Sequence, residues 1–303
     1  MAGPFGPHDF PFRPPSAVVT AVKMSGPYRM AADGILEPVT PVQHRDDEYP
    51  EDGFATLWAM QERHFWYRGR HRFLLHALDR YGRHGSGPLA AVDLGGGVGG
   101  WVRYLADRRT GQYQPLALPD SSRTALRMAG GVLPVRSERY QIDLMNLGWR
   151  DHWDVAFLLD VIEHLPDDLE AMRQARAALK PGGLLFVTTP ALQQFWSYND
   201  ELAHHLRRYT RADFALLGEQ AGLQLCDARY FMFLLSPLNW LARQGKGIDG
   251  MTEEQRTELM HKTHQVPSAL LNLSLTAIFA AETPLGHWLR FPWGTSVLGV
   301  FRK

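Results

Sequence analysis

The chain has 303 residues, 45% hydrophobic and 21% charged, which supports one large domain with a full core and excludes a fibrous or wholly disordered protein. Its 32 basic residues balance 32 acidic ones, so no surplus of positive charge points to nucleic acid. The one cysteine, Cys226, excludes an internal disulfide and suits a reducing cytoplasm, the expected location.

No run of 18 apolar residues stands out, so no stable membrane insertion is expected, and the first residues lack the pattern of a secretory signal. Residues 1–52 are rich in proline and poor in periodicity. They read as an irregular arm, disordered over the first 25 residues, with an acidic, solvated run at 45–52. Order is expected from Gly53, where Phe54, Leu57 and Trp58 form one helix face. His64, Phe65, Trp66 and Tyr67 then open an amphipathic helix closed by Gly82. Their aromatic cluster suits either the core or a lid over a cofactor.

Residues 89–94 are a short apolar run that ends in glycines, as a buried parallel strand does when it meets a ligand-binding turn. Trp101, Val102 and Leu105 follow at helical spacing. Strand, glycine turn and helix make the first unit of a doubly wound α/β domain. Two patterns overlap in the turn. Gly95, Gly97 and Gly100 fit the dinucleotide spacing G-x-G-x-x-G, whereas Asp93, Gly95, Gly97 and Gly99 fit D-x-G-x-G-x-G, the S-adenosylmethionine (SAM) spacing. Asp93 would repel a pyrophosphate but suits the ammonium and sulfonium of SAM. A glycine turn that binds nothing is the third reading.

Residues 114–118 form the second expected strand. Asp120 lies 25 residues beyond Gly95, close to the spacing at which an acid meets a ribose diol. Asp120 or the adjacent Ser121 could equally cap the next helix. Residues 140–144 form a third strand with Asp143, a potential adenine acceptor, at its carboxyl end. Residues 153–160 read as a central strand, followed by a helix that bears Leu169, Met172 and Ala175 on one face. Residues 184–190 form the fifth strand. A polar, aromatic loop follows, placed where a substrate should lie. Thr210 and Asp213 make a capping box for the next helix. A strand at 223–231, with Cys226 as a small core residue, precedes helical patches at 237–244, 252–264 and 268–282. A last strand is expected at 296–301.

Several segments together resemble the class I SAM-dependent methyltransferases. They are the Asp93–Gly99 turn; Asp120, Ser122, Ala125 and Leu126; Asp143 and Leu144; Asp160, Val161, Ile162, Glu163 and His164; and Leu179, Lys180, Pro181, Gly182 and Gly183. The likeness is strongest to a bacterial type 11/type 23 methyltransferase-like subgroup. That subgroup shares the His64–Tyr67 aromatic motif, the series Trp196, Ser197, Asp200, His205, Arg207, Arg208 and Tyr209, and the tail Pro292–Ser296. The resemblance implies a Rossmann-like, doubly wound, seven-stranded, mostly parallel sheet over residues 53–303, with a helical cover inserted at 237–285 before the last strand. It implies SAM as cofactor, with Gly95, Gly97 and Gly99 against methionine and ribose and Asp120 on the ribose hydroxyls. Asp143 and Leu144 would flank adenine, Asp160 and Val161 would close the methionine side, and Tyr67 would belong to the lid.

The expected activity is methyl transfer to an oxygen, nitrogen or carbon atom of a small acceptor, plausibly a secondary metabolite. An acceptor hydroxyl or ammonium must lose a proton, so His164 and His205 are the leading bases, ahead of Tyr209 and Glu163. Each histidine could instead only cap a helix or tether a loop. No metal constellation is visible, because acidic and histidine residues are scattered. A nicotinamide oxidoreductase and a SAM-binding protein without transferase activity are the alternatives, and a homodimer is compatible with the sequence.

Overall fold

The computed structural model describes residues 28–42, 53–82, 87–134, 136–243, 248, 250–263 and 265–303. The expectations for residues 1–25 and for the acidic run at 45–52 lie outside the described residues.

Two short strands, β1 (Tyr28–Met30) and β2 (Leu36–Pro38), precede helices α1 (Gly53–Gln61) and α2 (Phe65–Tyr81). The first half of the sheet alternates β3 (Leu89–Asp93), α3 (Gly100–Arg108), β4 (Tyr113–Asp120), α4 (Arg123–Ala129) and β5 (Glu138–Gln141). The second half holds β6 (Trp153–Leu159), a 3₁₀ turn (Ile162–His164), α5 (Asp168–Ala178) and β7 (Leu179–Pro190). Then come α6 (Tyr198–Leu202), α7 (Arg211–Gln220), β8 (Gln224–Phe231), α8 (Ser236–Arg243), α9 (Glu253–Thr263), α10 (Ala269–Trp288) and β9 (Ser296–Arg302).

The strands form one Rossmann-like sheet in the order β1-β2-β5-β4-β3-β6-β7-β9-β8. Strands β3 to β7 run parallel, and β9 enters antiparallel between β7 and β8. The sheet therefore has nine strands rather than seven. The two extra strands come from the supposedly irregular arm, where β1 and β2 form a hairpin and β2 pairs parallel with β5. Strands of three residues are too short to show a period. Side-chain ties hold this hairpin instead. Asp33 pairs with Arg123 and Arg127, Glu37 pairs with Arg123, and Arg139 donates to the Asp33 carbonyl at 3.0 Å.

Residues along the central strands alternate between two cores. Val92, Ala156 and Leu158 face the layer of α5 and α7, while Ala91, Val155, Phe157 and Leu159 face Phe73, Trp101 and Phe279 on α2, α3 and α10. Both faces are apolar because both are covered, which explains the unbroken hydrophobic runs.

Of the helical insertion, α8 and α9 lie toward the carboxyl ends of the strands, whereas α10 is built into the core. Gly69 of α2 admits the ring of Phe279, since a Cβ there would come within 1.9 Å of it. The Asn272 amide accepts from the Phe65 N–H at 2.9 Å and donates to the Arg63 carbonyl at 2.8 Å. By length and composition α10 is apolar enough to cross a membrane, which the search for an 18-residue apolar run missed. One side of it instead packs in the core through Leu275, Phe279 and Thr283.

Candidate active site

The carboxyl ends of β3, β4, β5 and β6 open into one cavity of about 890 Å³ that extends beneath α8. It sits at the upper end of the roughly 300–1,000 Å³ found for small-molecule sites. The glycine turn lies at its floor. Gly95 and Gly97 have φ of +71° and +56°, a left-handed backbone that glycine adopts without penalty. A Cβ on Gly95 would lie 2.9 Å from Val161, so that gap exists only because the side chain is missing. Gly99 is the exception among the predicted glycines. It starts α3 with φ of +79° and faces Leu118, Ala129 and Leu133 rather than the cavity. Its role is conformational.

Asp120 shapes the turn. One carboxylate oxygen accepts from the Gly97 N–H at 2.8 Å and the other from the Ser122 N–H at 2.9 Å. Ser122, rather than Asp120 or Ser121, caps α4, accepting from the Ala125 N–H at 3.1 Å. Asp120 is thus fixed at the cavity wall with Ser121 beside it. Asp143 and Leu144 line the same wall, where the Asp143 carboxylate accepts from the Met145 N–H at 2.9 Å.

Asp93 is buried, and burial raises its pKa to about 7 despite the opposing charge of Arg70. One of its oxygens has no hydrogen-bond partner among the described residues. Asp160 bends the chain out of β6 with φ of +58°, a left-handed conformation that aspartate tolerates. Its carboxylate pairs with Arg70, a nearly buried residue of α2 whose guanidinium lies 4.9 Å from the Trp66 ring and 5.3 Å from the Tyr67 ring. Asp160, Val161 and Tyr67 all reach the cavity. The spacing of motifs did not single out Arg70; its only signal was a place one helical turn after the aromatic cluster.

An unpaired buried carboxylate, bare glycine backbone and an acidic rim fit a ligand that is cationic at one end and carries a ribose at the other. They fit a dinucleotide poorly, since a pyrophosphate near Asp93 would meet like charge.

The acceptor side is built differently. The segment from 198 to 209 is strapped onto the 3₁₀ turn after β6. The Leu206 N–H donates to the Glu163 carbonyl at 2.8 Å, and Arg207 binds the Asp168 carboxylate and the Pro166 carbonyl. Tyr209 donates to Asp168 at 2.7 Å and to the Ile162 carbonyl at 3.2 Å. This tyrosine is buried away from the cavity and burial raises its pKa far above the ordinary value. It holds the strap and is not placed to act as a base. Arg208 also bonds within the protein, taking both oxygens of Asp200 at 2.7 and 3.0 Å and the Ala191 carbonyl at 3.0 Å. Neither arginine is left to greet an acidic acceptor.

The strap brings His205 to the cavity wall opposite the floor. Its Nδ1 lies 3.0 Å from Asp200, and its ring meets that of His164 edge to face at 4.8 Å between centroids. Burial depresses the His164 pKa to about 3 and holds that of Glu163 well above the carboxylate range. Glu163, His164 and His205, scattered in sequence, thus converge. Their ligand-capable atoms lie within 4.8 Å of one another, contrary to the expectation that no such constellation exists.

Residues 62–228, more than half of the chain, match the family model described as a methyltransferase domain. The chain belongs to this methyltransferase family. Among curated proteins none matches significantly. Solved structures share the fold at low identity. A chain in the complex of the Haloferax volcanii Trm112 methyltransferase activator with a protein described as a methyltransferase is 17% identical, with TM-score 0.53 over 83% of this chain and 96% of that one. Phosphoethanolamine N-methyltransferase 2 of Haemonchus contortus, in complex with SAM, is 17% identical with TM-score 0.52, over 84% of this chain and 57% of that one. A Galdieria sulphuraria protein described as a sarcosine dimethylglycine methyltransferase is 16% identical with TM-score 0.50, over 77% of this chain and 85% of that one.

Proposed function

We propose that this methyltransferase modifies an oxygen or nitrogen atom of a small organic acceptor, in keeping with a role in secondary metabolism. SAM is the cofactor and supplies, when bound, an electrophilic methyl group with its leaving group already attached. The chain's own residues bind, align and exclude water, which is most of what an in-line displacement requires.

One observation carries the reading: a single cavity joins the glycine floor to the Glu163–His164–His205 corner. Gly95 and Gly97 let a ligand touch backbone, Asp120 offers acceptors to a diol, and Asp93 and Asp160 give negative charge to a cationic end. The acceptor occupies the side walled by α8, where Leu235 and Leu238 are apolar and Asn239 and Arg243 are polar. A proton released by its nucleophilic atom faces His205 and Glu163 rather than bulk apolar core.

The test is release of S-adenosylhomocysteine from purified protein, SAM and fractionated cell extract as acceptor source, with mass spectrometry of the methylated product. SAM that binds but is never turned over with any fraction would leave a binding protein without transferase activity. A product that gains a carbon–methyl bond would refute the assignment to oxygen or nitrogen.

A further inference from the structure

We propose that Glu163, His164 and His205 bind a divalent transition-metal cation that coordinates the acceptor's nucleophilic oxygen. This inference rests on the methyltransferase reading for the acceptor, but not for the ion.

Three features point to it. The donor set is two imidazoles and a carboxylate, which suits zinc, iron, cobalt or manganese better than magnesium or calcium and leaves coordination positions open. The donor atoms lie within 4.8 Å of one another; around one ion they would lie about 3–4 Å apart, so modest side-chain rotation closes the set.

Glu163 supplies an independent indication. It is fully buried, lines the cavity, and neither carboxylate oxygen has a hydrogen-bond partner among the described residues. Buried carboxylates in folded proteins are paired or coordinate metal. The other acids nearby are already committed: Asp160 to Arg70, Asp168 to Tyr209 and Arg207, and Asp200 to Arg208 and His205.

The outer support is also in place. Asp200 lies 3.0 Å from His205 Nδ1, an arrangement that fixes the tautomer and turns Nε2 outward as the ligand, as carboxylates do behind metal-bound histidines. Asp200 is in turn gripped at both oxygens by Arg208. The Leu206–Glu163 backbone bond at 2.8 Å locks the two segments that carry the ligands.

At such a site the acceptor's hydroxyl oxygen enters an open position. Coordination lowers its pKa, the O–H bond breaks, the proton passes to water at the cavity mouth, and the oxygen is held as its anion. No oxidation or reduction is involved.

The probe is Co²⁺ added to full-length protein stripped with a chelator, followed by visible absorption and calorimetry. One equivalent should bind and develop the d–d bands of a nitrogen- and oxygen-ligated cobalt site. Glu163→Gln and His205→Ala should each weaken cobalt binding by about 100-fold or more, with circular dichroism unchanged. SAM is titrated into the same samples. Cobalt binding without SAM binding would sink the methyltransferase reading and keep the ion site. SAM binding with no cobalt binding, or with cobalt binding equal in wild type and both folded variants, would overturn the ion site alone. If both variants unfold, the wild-type spectrum decides: absence of nitrogen-ligated bands overturns the site.

Discussion

The two halves of the cavity are made by different means. The cofactor half is local. Asp93, Gly95, Gly97 and Asp120 stand at the ends of two adjacent strands, and backbone amides of the turn satisfy Asp120 directly. The acceptor half is assembled at long range. His205 reaches Glu163 and His164 only because Arg207, Arg208 and Tyr209 tie the strap to the segment after β6. A turn that holds itself can be specified by a short motif, whereas a strap depends on partners some 40 residues away.

If that contrast is right, cutting the strap should destroy the acceptor half and spare the cofactor half. Arg208→Ala removes the partner of a buried aspartate, a loss worth about 3–5 kcal/mol. We expect a fall in the unfolding midpoint, loss of turnover, and SAM affinity within about threefold of wild type. Collapse of SAM affinity in the folded variant would show that the halves are not separable.

A gentler cut comes next. His205→Ala should lower turnover by ~10²-fold or more while calorimetry shows SAM binding retained. Near-normal turnover across pH 6–9 would make His205 a tether only.

The reverse break is Asp120→Ala. Losing a charge-assisted contact costs about 1.5–3 kcal/mol, so SAM should bind roughly 10- to 100-fold more weakly in calorimetric titration. Unchanged affinity would remove Asp120 from the cofactor site.

The smallest effect sharpens the electrostatics of the floor. The Asp93 pKa is raised to about 7 by burial. Below that pH the side chain is neutral and attracts no cation; above it the carboxylate does. SAM affinity should therefore rise from pH 6 to pH 8, by at most about tenfold, and Asp93→Asn should flatten the profile. A wild-type profile that is already flat would show that Asp93 does not face the positive end of the cofactor.

The same division explains what the sequence disclosed. Asp93, Gly95 and Asp120 were legible because strand, turn and helix follow one another without interruption. Gly99 was misread because the pattern counts glycines without telling a ligand-facing one from one that only needs positive φ. Tyr209 was misread because its partner Asp168 lies 41 residues away. The β1–β2 hairpin was invisible for want of length, and Arg70 because its partner Asp160 is 90 residues distant. The Glu163–His164–His205 corner was missed for the same reason: ligand spacing was sought along the chain, and the fold supplies it across the cavity.

The hairpin has a consequence for the order in which the molecule is made. Pro38, Thr40 and Val42 belong to the cavity wall, and the Gln141 side chain bonds to the Val42 carbonyl at 3.2 Å. Chains leave the ribosome N-terminus first, so this wall is synthesised early and must wait for roughly a hundred further residues before β5 exists to receive it. During that interval its apolar side chains are available to other partners. A nascent chain therefore completes its nucleotide pocket from the outside in, and cofactor capture can serve as a late checkpoint on whether the first residues found their place.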